Sequence, residues 1–185
     1  VAHALRAEGR EVVETREPGG TQTGDRIRTI FLRSDLQIEP LAEALLLNAS
    51  RVHLMAEVIE PALRAGRVVL CDRFTDSTLA YQGYGRGLDL KMLRQMCNAA
   101  ANGRSPDMTL FVDIPVALSR ERVARRQKAD GSAPDRVDRE ADDFHERVRS
   151  GYLALARENS GRIHVLDGRS SVDTLLGQTI GSISK

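Results

Sequence analysis

The chain has 185 residues, of which 27 are basic and 26 acidic, so its formal net charge is +1. This length suits one domain with a sizeable core, and the near-neutral total gives no indication of a nucleic-acid or membrane partner. No apolar stretch reaches the roughly 20 residues of a membrane-spanning helix. The chain has only two cysteines, which argues against a disulfide framework and indicates free thiols in a reducing cytoplasm. Its four histidines are scattered, which argues against a zinc site.

The first third of the chain combines helical periodicity with one short strand. The loop Arg16-Glu17-Pro18-Gly19-Gly20 follows that strand, and its Pro-Gly-Gly predicts a tight change of direction. Apolar spacing and stop signals predict the end of a helix over 2–8, a strand over 11–15, a helix over 24–33 and a long helix over 41–65. Pro61 is expected either to kink this long helix or to begin a fresh turn.

The most informative stretch is the strand at 68–71 with the polar run behind it. Its apolar, mostly β-branched residues are typical of a strand buried on both faces, and they lead directly into Asp72 and Arg73. Ligands of open parallel sheets bind at the carboxyl ends of the strands, so we expect the functional site here. Arg73 offers a planar cationic fork suited to a phosphate. A structural Asp–Arg pair that closes the strand is the alternative.

Polar side chains follow on a predicted helix over about 77–82. Ser77 with Tyr81, and Thr78 with Gln82, are i, i+4 pairs, so one helix end can present hydroxyl and amide groups to one ligand. Each residue alone is an ordinary helix residue. Arg16 stands at the end of another strand and Arg51 lies among apolar neighbours, so both are candidates to converge on the site; an exposed turn and a solvated arginine are the alternatives.

The second half of the chain carries a dense basic run before a predicted loop. This run is typical of a phosphoryl-transfer lid that neutralises charge and excludes water, although a solvated helix face fits the composition equally. Its members are Arg120, Arg122, Arg125, Arg126 and Lys128. The predicted elements are helices over 88–101, 116–126, 141–157 and 172–183, strands over 110–112 and 163–166, and a mobile loop over 128–134.

Strands and helices alternate along the whole chain. This order predicts βαβ units with right-handed crossovers, and therefore an α/β fold with a parallel sheet. Four strands are expected, with no internal repeat and no domain linker.

Several motifs together resemble bacterial thymidylate kinases over essentially the whole chain. They occur in the family's order: Thr15-Arg16-Glu17-Pro18-Gly19-Gly20-Thr21, Ala49-Ser50-Arg51, Asp72-Arg73 with 77–83, Gly85-Arg86-Gly87, 106–110 and Asp135-Arg136. The resemblance implies a P-loop NTPase-type parallel sheet with helices on both faces, forming a single nucleoside monophosphate kinase domain over 1–185 with a mobile lid at about 126–140. It also implies transfer of a phosphoryl group from ATP to dTMP with Mg²⁺, in a cytoplasmic homodimer with no nucleic-acid or membrane partner.

The resemblance also implies roles for individual residues. By position, Arg73 and Arg51 would hold the dTMP phosphate or the thymine edge beside Asp72. The lid arginines Arg125, Arg126 and Arg136 would reach the ATP phosphates, and Asp135 and Asp138 could contact metal-bound water. The residues that would border the acceptor nucleotide or read its base and sugar are Arg16, Glu17, Pro18, Ser77, Thr78, Tyr81 and Gln82.

The chain departs from the family pattern at two places. The family's first strand and its phosphate-binding loop, G-x-x-x-x-G-K-[ST], do not occur in the sequence. The chain is therefore expected to be either an N-terminally incomplete kinase or a short form that binds nucleotide without productive ATP binding. Leu47 stands where the family usually places an aromatic residue that stacks on thymine, so weaker affinity for the base is expected unless another group covers that face. A deoxynucleoside kinase on the same architecture is a further alternative.

Overall fold

The structure is a computed structural model that describes residues 1–33 and 35–183. Strands and helices alternate in it as the sequence predicts. The elements are α1 (Ala2–Ala7), β1 (Val12–Arg16), α2 (Gln22–Leu32), α3 (Pro40–Leu54), the π-helix π1 (Met55–Ile59), α4 (Glu60–Arg64), β2 (Val68–Asp72), α5 (Thr75–Thr78), the π-helix π2 (Leu79–Gly85), α6 (Leu90–Ala100), β3 (Thr109–Asp113), α7 (Val116–Asp130), α8 (Asp142–Glu158), β4 (Ile163–Asp167) and α9 (Val172–Ile183).

The four strands form two parallel pairs. β1 pairs with β2 in a register that sets Arg16 opposite Asp72, and β3 pairs with β4 with Asp113 opposite Asp167. Among the described residues no strand bridges the two pairs. The α/β architecture with parallel strands is confirmed.

Apolar side chains from the helices bury the sheet in two clusters. The larger cluster centres on residues of π2, α6 and α8, including Leu79, Leu93, Phe144 and Leu155. The smaller one lies around Leu54 and its neighbours beneath β2. Both clusters back the end of β2, so they support the segment that follows Asp72. No helix in the described ranges is long and apolar enough to cross a membrane.

Pro61 begins a fresh turn, as one of the two expectations had it. It lies in the first turn of α4, where a missing N–H is tolerated. The helices depart from prediction in two places. The long helix predicted over 41–65 contains a π-helix at Met55–Ile59, before Pro61. The loop predicted over 128–134 is also shorter than expected. Since no helix breaker precedes Gly131, α7 continues to Asp130 and ends at Gly131 in the left-handed conformation, with φ of 69°.

Candidate active site

The carboxyl ends of β1 and β2 bring two predicted motifs together. The backbone N–H of Glu17 donates to the carbonyl of Asp72 at 2.9 Å, which continues the strand register by one residue. The loop after β1 therefore lies directly beside the Asp72-Arg73 turn. This contact confirms the expectation that the two strand ends meet at one edge of the sheet.

A cavity of about 280 Å³ opens at this edge. Its walls come from the loop after β1, from α2, α3, α5, π2, α7 and the segment before α8. Twelve of the sequence-predicted site residues line it: Glu17, Pro18, Leu47, Arg51, Arg73, Ser77, Thr78, Tyr81, Gln82, Arg126, Asp135 and Asp138.

Four predicted site residues do not line the cavity: Arg16, Asp72, Arg125 and Arg136. A more open depression lies at the amino ends of β1 and β2 and contains none of the predicted site residues. Ligands of parallel sheets bind at the carboxyl ends, so the 280 Å³ cavity is the candidate site.

Arg73 is an exposed cation without a carboxylate partner in the described part of the chain. Its guanidinium carbon lies 4.7 Å from the centre of the Tyr81 ring, and its backbone has φ of 68°, which an L-residue rarely adopts. Cation–π contact with Tyr81 fixes the position of the charge without neutralising it. Arg73 therefore has no ion-pair partner among the described residues, and its role in binding an anion stays a prediction.

Arg28 is a cavity-lining arginine that the sequence did not single out. Burial lowers its pKa, and the neighbouring positive charges of Arg16 and Arg73 lower it further. One guanidinium N–H donates to the carbonyl of Pro18 at 3.1 Å. Three guanidinium groups thus share one region at the strand ends, and this concentration of charge favours a multiply charged anion such as a phosphate.

Arg51 is fully committed to protein partners, and its side chain is 1% exposed. It donates to Glu17 at 2.6–3.0 Å, to the Thr78 hydroxyl at 3.0 Å, to Asn48 at 2.9 Å and to Cys97 at 3.4 Å. All five guanidinium N–H groups are used. The alternative of a solvated arginine is wrong, and direct binding of nucleotide by Arg51 stays a prediction.

The Arg51–Glu17 pair instead shapes the cavity wall. Burial raises the pKa of the Glu17 carboxyl, and the charge of Arg51 opposes that rise. Because Arg51 donates to the Thr78 oxygen, the Thr78 side chain is held in place. The pair links the loop after β1 to the helix that follows β2.

Two contacts on α5 hold the polar side chains in place. The Ser77 hydroxyl lies 2.6 Å from that of Tyr152 on α8. Asp76, which is 5% exposed, accepts two bonds from Arg162 at 2.7 and 2.8 Å and one from Thr109 at 2.9 Å. α5 is thereby tied to the β3–β4 pair. Asp76 lies within the polar run read from the sequence, but its partners are far away in the chain.

Aromatic rings stand near the position of the expected thymine-stacking residue. Leu47 lines the cavity together with Phe31 and Phe74. The guanidinium of Arg51 lies 5.1 Å from the Phe74 ring centre, and that of Arg136 lies 4.9 Å from the centre of Phe31. These rings lie in the wall that Leu47 shares, and either can add apolar contact to a base.

The predicted lid is held at its C-terminal part. Arg136 is 10% exposed; it donates to Glu43 and, at 3.1 Å, to the carbonyl of Phe31. Because this side chain is buried against α2 and α3, it does not extend towards the donor phosphates in this structure. Arg125 is exposed and pairs with Glu121 one turn away. Neither residue lines the cavity, so their catalytic roles stay predictions.

Arg126 and the two lid aspartates do face the cavity. Arg126 lies 3.9 Å from Asp138. Asp135 accepts from the backbone N–H of Asp138 at 2.8 Å, and Gln127 donates to Asp138 at 3.2 Å. The described residues contain no group of three His, Cys, Asp or Glu side chains arranged for a metal ion. A contact of Asp135 and Asp138 to metal-bound water stays a prediction.

Sequence and structure comparisons point to one family. The sequence model described as thymidylate kinase matches residues 1–178. The thymidylate kinase of Pelotomaculum thermopropionicum is 53% identical over 164 residues, covering 88% of this chain and 74% of the relative. That of Desulfovibrio desulfuricans is 48% identical over 184 residues, covering 97% and 84%. The crystal structure of thymidylate kinase from Ehrlichia chaffeensis superposes with a TM-score of 0.76 at 28% identity, covering 99% of this chain and 86% of that one.

Proposed function

The chain belongs to the thymidylate kinase family, and from that premise we infer that it transfers the γ-phosphoryl group of ATP to dTMP. A phosphate oxygen of dTMP attacks the γ-phosphorus, the bond to the β–γ bridging oxygen breaks, and ADP leaves as dTDP forms. The observation that carries this inference is the cavity at the strand ends, where the unpaired Arg73 lies close to Arg28 in a chain whose family acts on a nucleoside monophosphate.

We propose that Arg73 is the main ligand of the acceptor phosphate. Among the described residues no carboxylate forms an ion pair with it, and Arg16 and Arg28 add positive potential nearby. Phosphoryl transfer depends mainly on positioning and on stabilising negative charge, and a fixed guanidinium serves both purposes. The backbone carbonyl of Asp72, at the end of β2, holds the loop after β1, and a role of the Asp72 carboxylate beside the ligand stays a prediction.

Other residues that line the cavity suit the nucleoside. Leu47 and Pro18 provide apolar contact, whereas Thr78, Tyr81 and Gln82 offer hydroxyl and amide groups. We propose that these side chains, with Ser77 and Glu17, bind the base and the sugar. The Thr78 oxygen is fixed by Arg51.

Arg126 is the lid arginine placed best to approach the donor phosphates, because it lines the cavity at the end of α7. We propose that it acts there with Arg125, while Arg136 anchors the lid segment. Mg²⁺, when bound, would shield the negative charges of the phosphates and so reduce their mutual repulsion. Asp135 and Asp138 would contact it through water. The sequence has no G-x-x-x-x-G-K-[ST] motif, so only the lid arginines, and no glycine-rich loop or lysine, are assigned to the phosphates of ATP.

We also propose that the chain forms a homodimer. Leu41, Leu45 and Val52 on α3 are 45%, 55% and 51% exposed, and Ile30 on α2 is 44% exposed. Apolar side chains clustered on neighbouring helices favour a protein partner. Sedimentation should give a dimer for the parent protein, and Leu45→Glu should shift it to a monomer. A cytoplasmic location, expected from the free thiols, stays a prediction.

A coupled ADP-release assay on the protein as its gene encodes it tests the proposed function. The assay compares dTMP with dUMP, dCMP and AMP as acceptors. Turnover highest with dTMP is expected. Turnover that favours AMP, or none with dTMP, would contradict the assignment.

A further inference from the structure

The Glu43 carboxylate on α3 joins three segments of the chain at one buried point. Its side chain is 1% exposed. It accepts hydrogen bonds from Gln82 Nε2 at 3.0 Å, from Arg86 Nε at 3.2 Å and from Arg136 Nη1. The donors lie 39, 43 and 93 residues further along the chain. One side chain therefore connects α3, π2 and the lid segment.

The charges around Glu43 balance. Arg86 and Arg136 are 16% and 10% exposed, and Arg86 also pairs with Glu140. Two guanidinium groups thus face two carboxylates. Both carboxylates contact Arg86. Only Glu43 also contacts Gln82 and Arg136.

Glu43 fixes one wall of the cavity through Gln82. Because Nε2 of Gln82 is held by Glu43, the orientation of the amide is set. Its Oε1 is buried and has no hydrogen-bond partner among the described residues. Gln82 lines the cavity, so this unused acceptor is available to a hydrogen-bond donor of a bound ligand.

Glu43 fixes the facing wall through Arg136. Asp135 and Val137, on either side of Arg136, both line the cavity. The contact between Arg136 and Glu43 therefore fastens the lid segment beside the same space. Glu43 itself does not line the cavity, so any effect on a ligand must pass through these two partners.

We propose that Glu43 is a positioning residue for the acceptor nucleotide. It presents the Gln82 Oε1 to an N–H or O–H of the nucleotide, and it holds the lid segment at the distance that this contact requires. Nucleotide binding and lid placement thus depend on one carboxylate. This inference rests on the proposed function, since the nucleotide is taken to be dTMP.

Calorimetric titration with dTMP tests the role of Glu43, using the protein as its gene encodes it. Glu43→Gln keeps the size of the side chain but removes its charge and frees the Gln82 amide. We expect dTMP to bind at least about tenfold more weakly, and Gln82→Leu to show a similar loss. In the double variant the losses should not multiply, because both act through one contact. The matched control Glu140→Gln should bind dTMP within about twofold of the parent.

Kinetics separate positioning from general loss of structure. For Glu43→Gln the KM for dTMP should rise at least about tenfold and the KM for ATP by less, because Gln82 loses its contact to Glu43 whereas Arg136 keeps its bond to the carbonyl of Phe31. Glu43→Asp retains the charge with a side chain one methylene shorter, and it should restore part of the dTMP affinity. If Glu43→Gln fails to fold, Glu43→Asp becomes the test variant. A dTMP affinity of Glu43→Asp equal to that of the parent would then contradict the proposal.

Two further results would overturn the role of Glu43. One is a folded Glu43→Gln variant that binds dTMP within about twofold of the parent, and the other is a multiplicative loss in the double variant. Binding of dTMP by the parent tests the proposed function separately. If the parent does not bind dTMP, the proposed function is refuted. The role of Glu43 is judged only by the ratio of the dTMP affinities of variant and parent.

Discussion

Removing the charge of Glu17 should destabilise the fold strongly. Glu17→Gln leaves the Arg51 guanidinium, 1% exposed, without its carboxylate. Three donor–acceptor contacts of 2.6–3.0 Å join the two groups, and an amide can accept from only one side of that fork. Breaking a buried ion pair by removing one partner typically costs about 3–5 kcal/mol. For a chain of this length each kcal/mol lowers Tm by roughly 2–4 °C, so we expect a loss of roughly 6–20 °C.

The matched control is Glu14→Gln, three residues earlier on β1. Glu14 pairs with Arg6 at 2.8 Å, but its side chain is 57% exposed. An exposed pair contributes less than about 1 kcal/mol, so Tm should change little. Urea unfolding of parent and variants measures both free energies. Losses within about 1 kcal/mol of each other would refute the reasoning that burial makes the Glu17–Arg51 pair important.

Three further predictions concern single side chains. Burial and the charge of Arg120 lower the pKa of His145 below 6.5. The free energy of unfolding of the parent should therefore fall as pH falls from 6.5 to about 5, and that of His145→Gln should fall less. An equal dependence of the two free energies on pH would contradict this. Burial raises the pKa of Cys71 to about 12, so its alkylation by iodoacetamide at about pH 8 should be at least about a hundredfold slower than that of a free thiol, and a comparable rate would contradict it. Arg73→Ala should weaken dTMP binding by about tenfold or more, and Arg10→Ala by less than about twofold. Equal losses of affinity in the two variants would show that dTMP does not bind at Arg73.

The strand ends could be predicted from the sequence because their chemistry is local. The run 68–71 is apolar enough to indicate a buried strand, and Asp72-Arg73 follows it directly. The register that sets Arg16 opposite Asp72 then follows from parallel pairing. Most predicted site residues line the cavity for this reason, since each lies within a few residues of a strand end or helix end.

Residues whose partners are distant in the chain could not be predicted. A charged residue in a helical pattern, such as Glu43 or Arg51, indicates a solvated face unless its partners are known. Glu43 is neutralised by arginines 43 and 93 residues away, and Arg51 by a carboxylate 34 residues away. Arg28 was missed for a similar reason, because its neighbours Arg16 and Arg73 lie beside it only in the folded chain.

Helix boundaries could be predicted only in part. Pro61 begins a fresh turn at α4, which was one of its two expected effects, but no local signal in the sequence marks the π-helix at Met55–Ile59 before it. Similarly, polar residues at 128–130 suggested a loop, yet nothing in them stops a helix before Gly131. Composition alone does not end a helix.

The most direct test of the central claim is a calorimetric comparison of dTMP with thymidine. The cavity is assigned to a nucleoside monophosphate because Arg73 is unpaired and Arg28 and Arg16 lie near it. Charge-assisted bonds to phosphate contribute about 1.5–3 kcal/mol, so dTMP should bind at least about tenfold more tightly than thymidine. Equal affinity for the two would contradict an acceptor-phosphate site at the ends of β1 and β2.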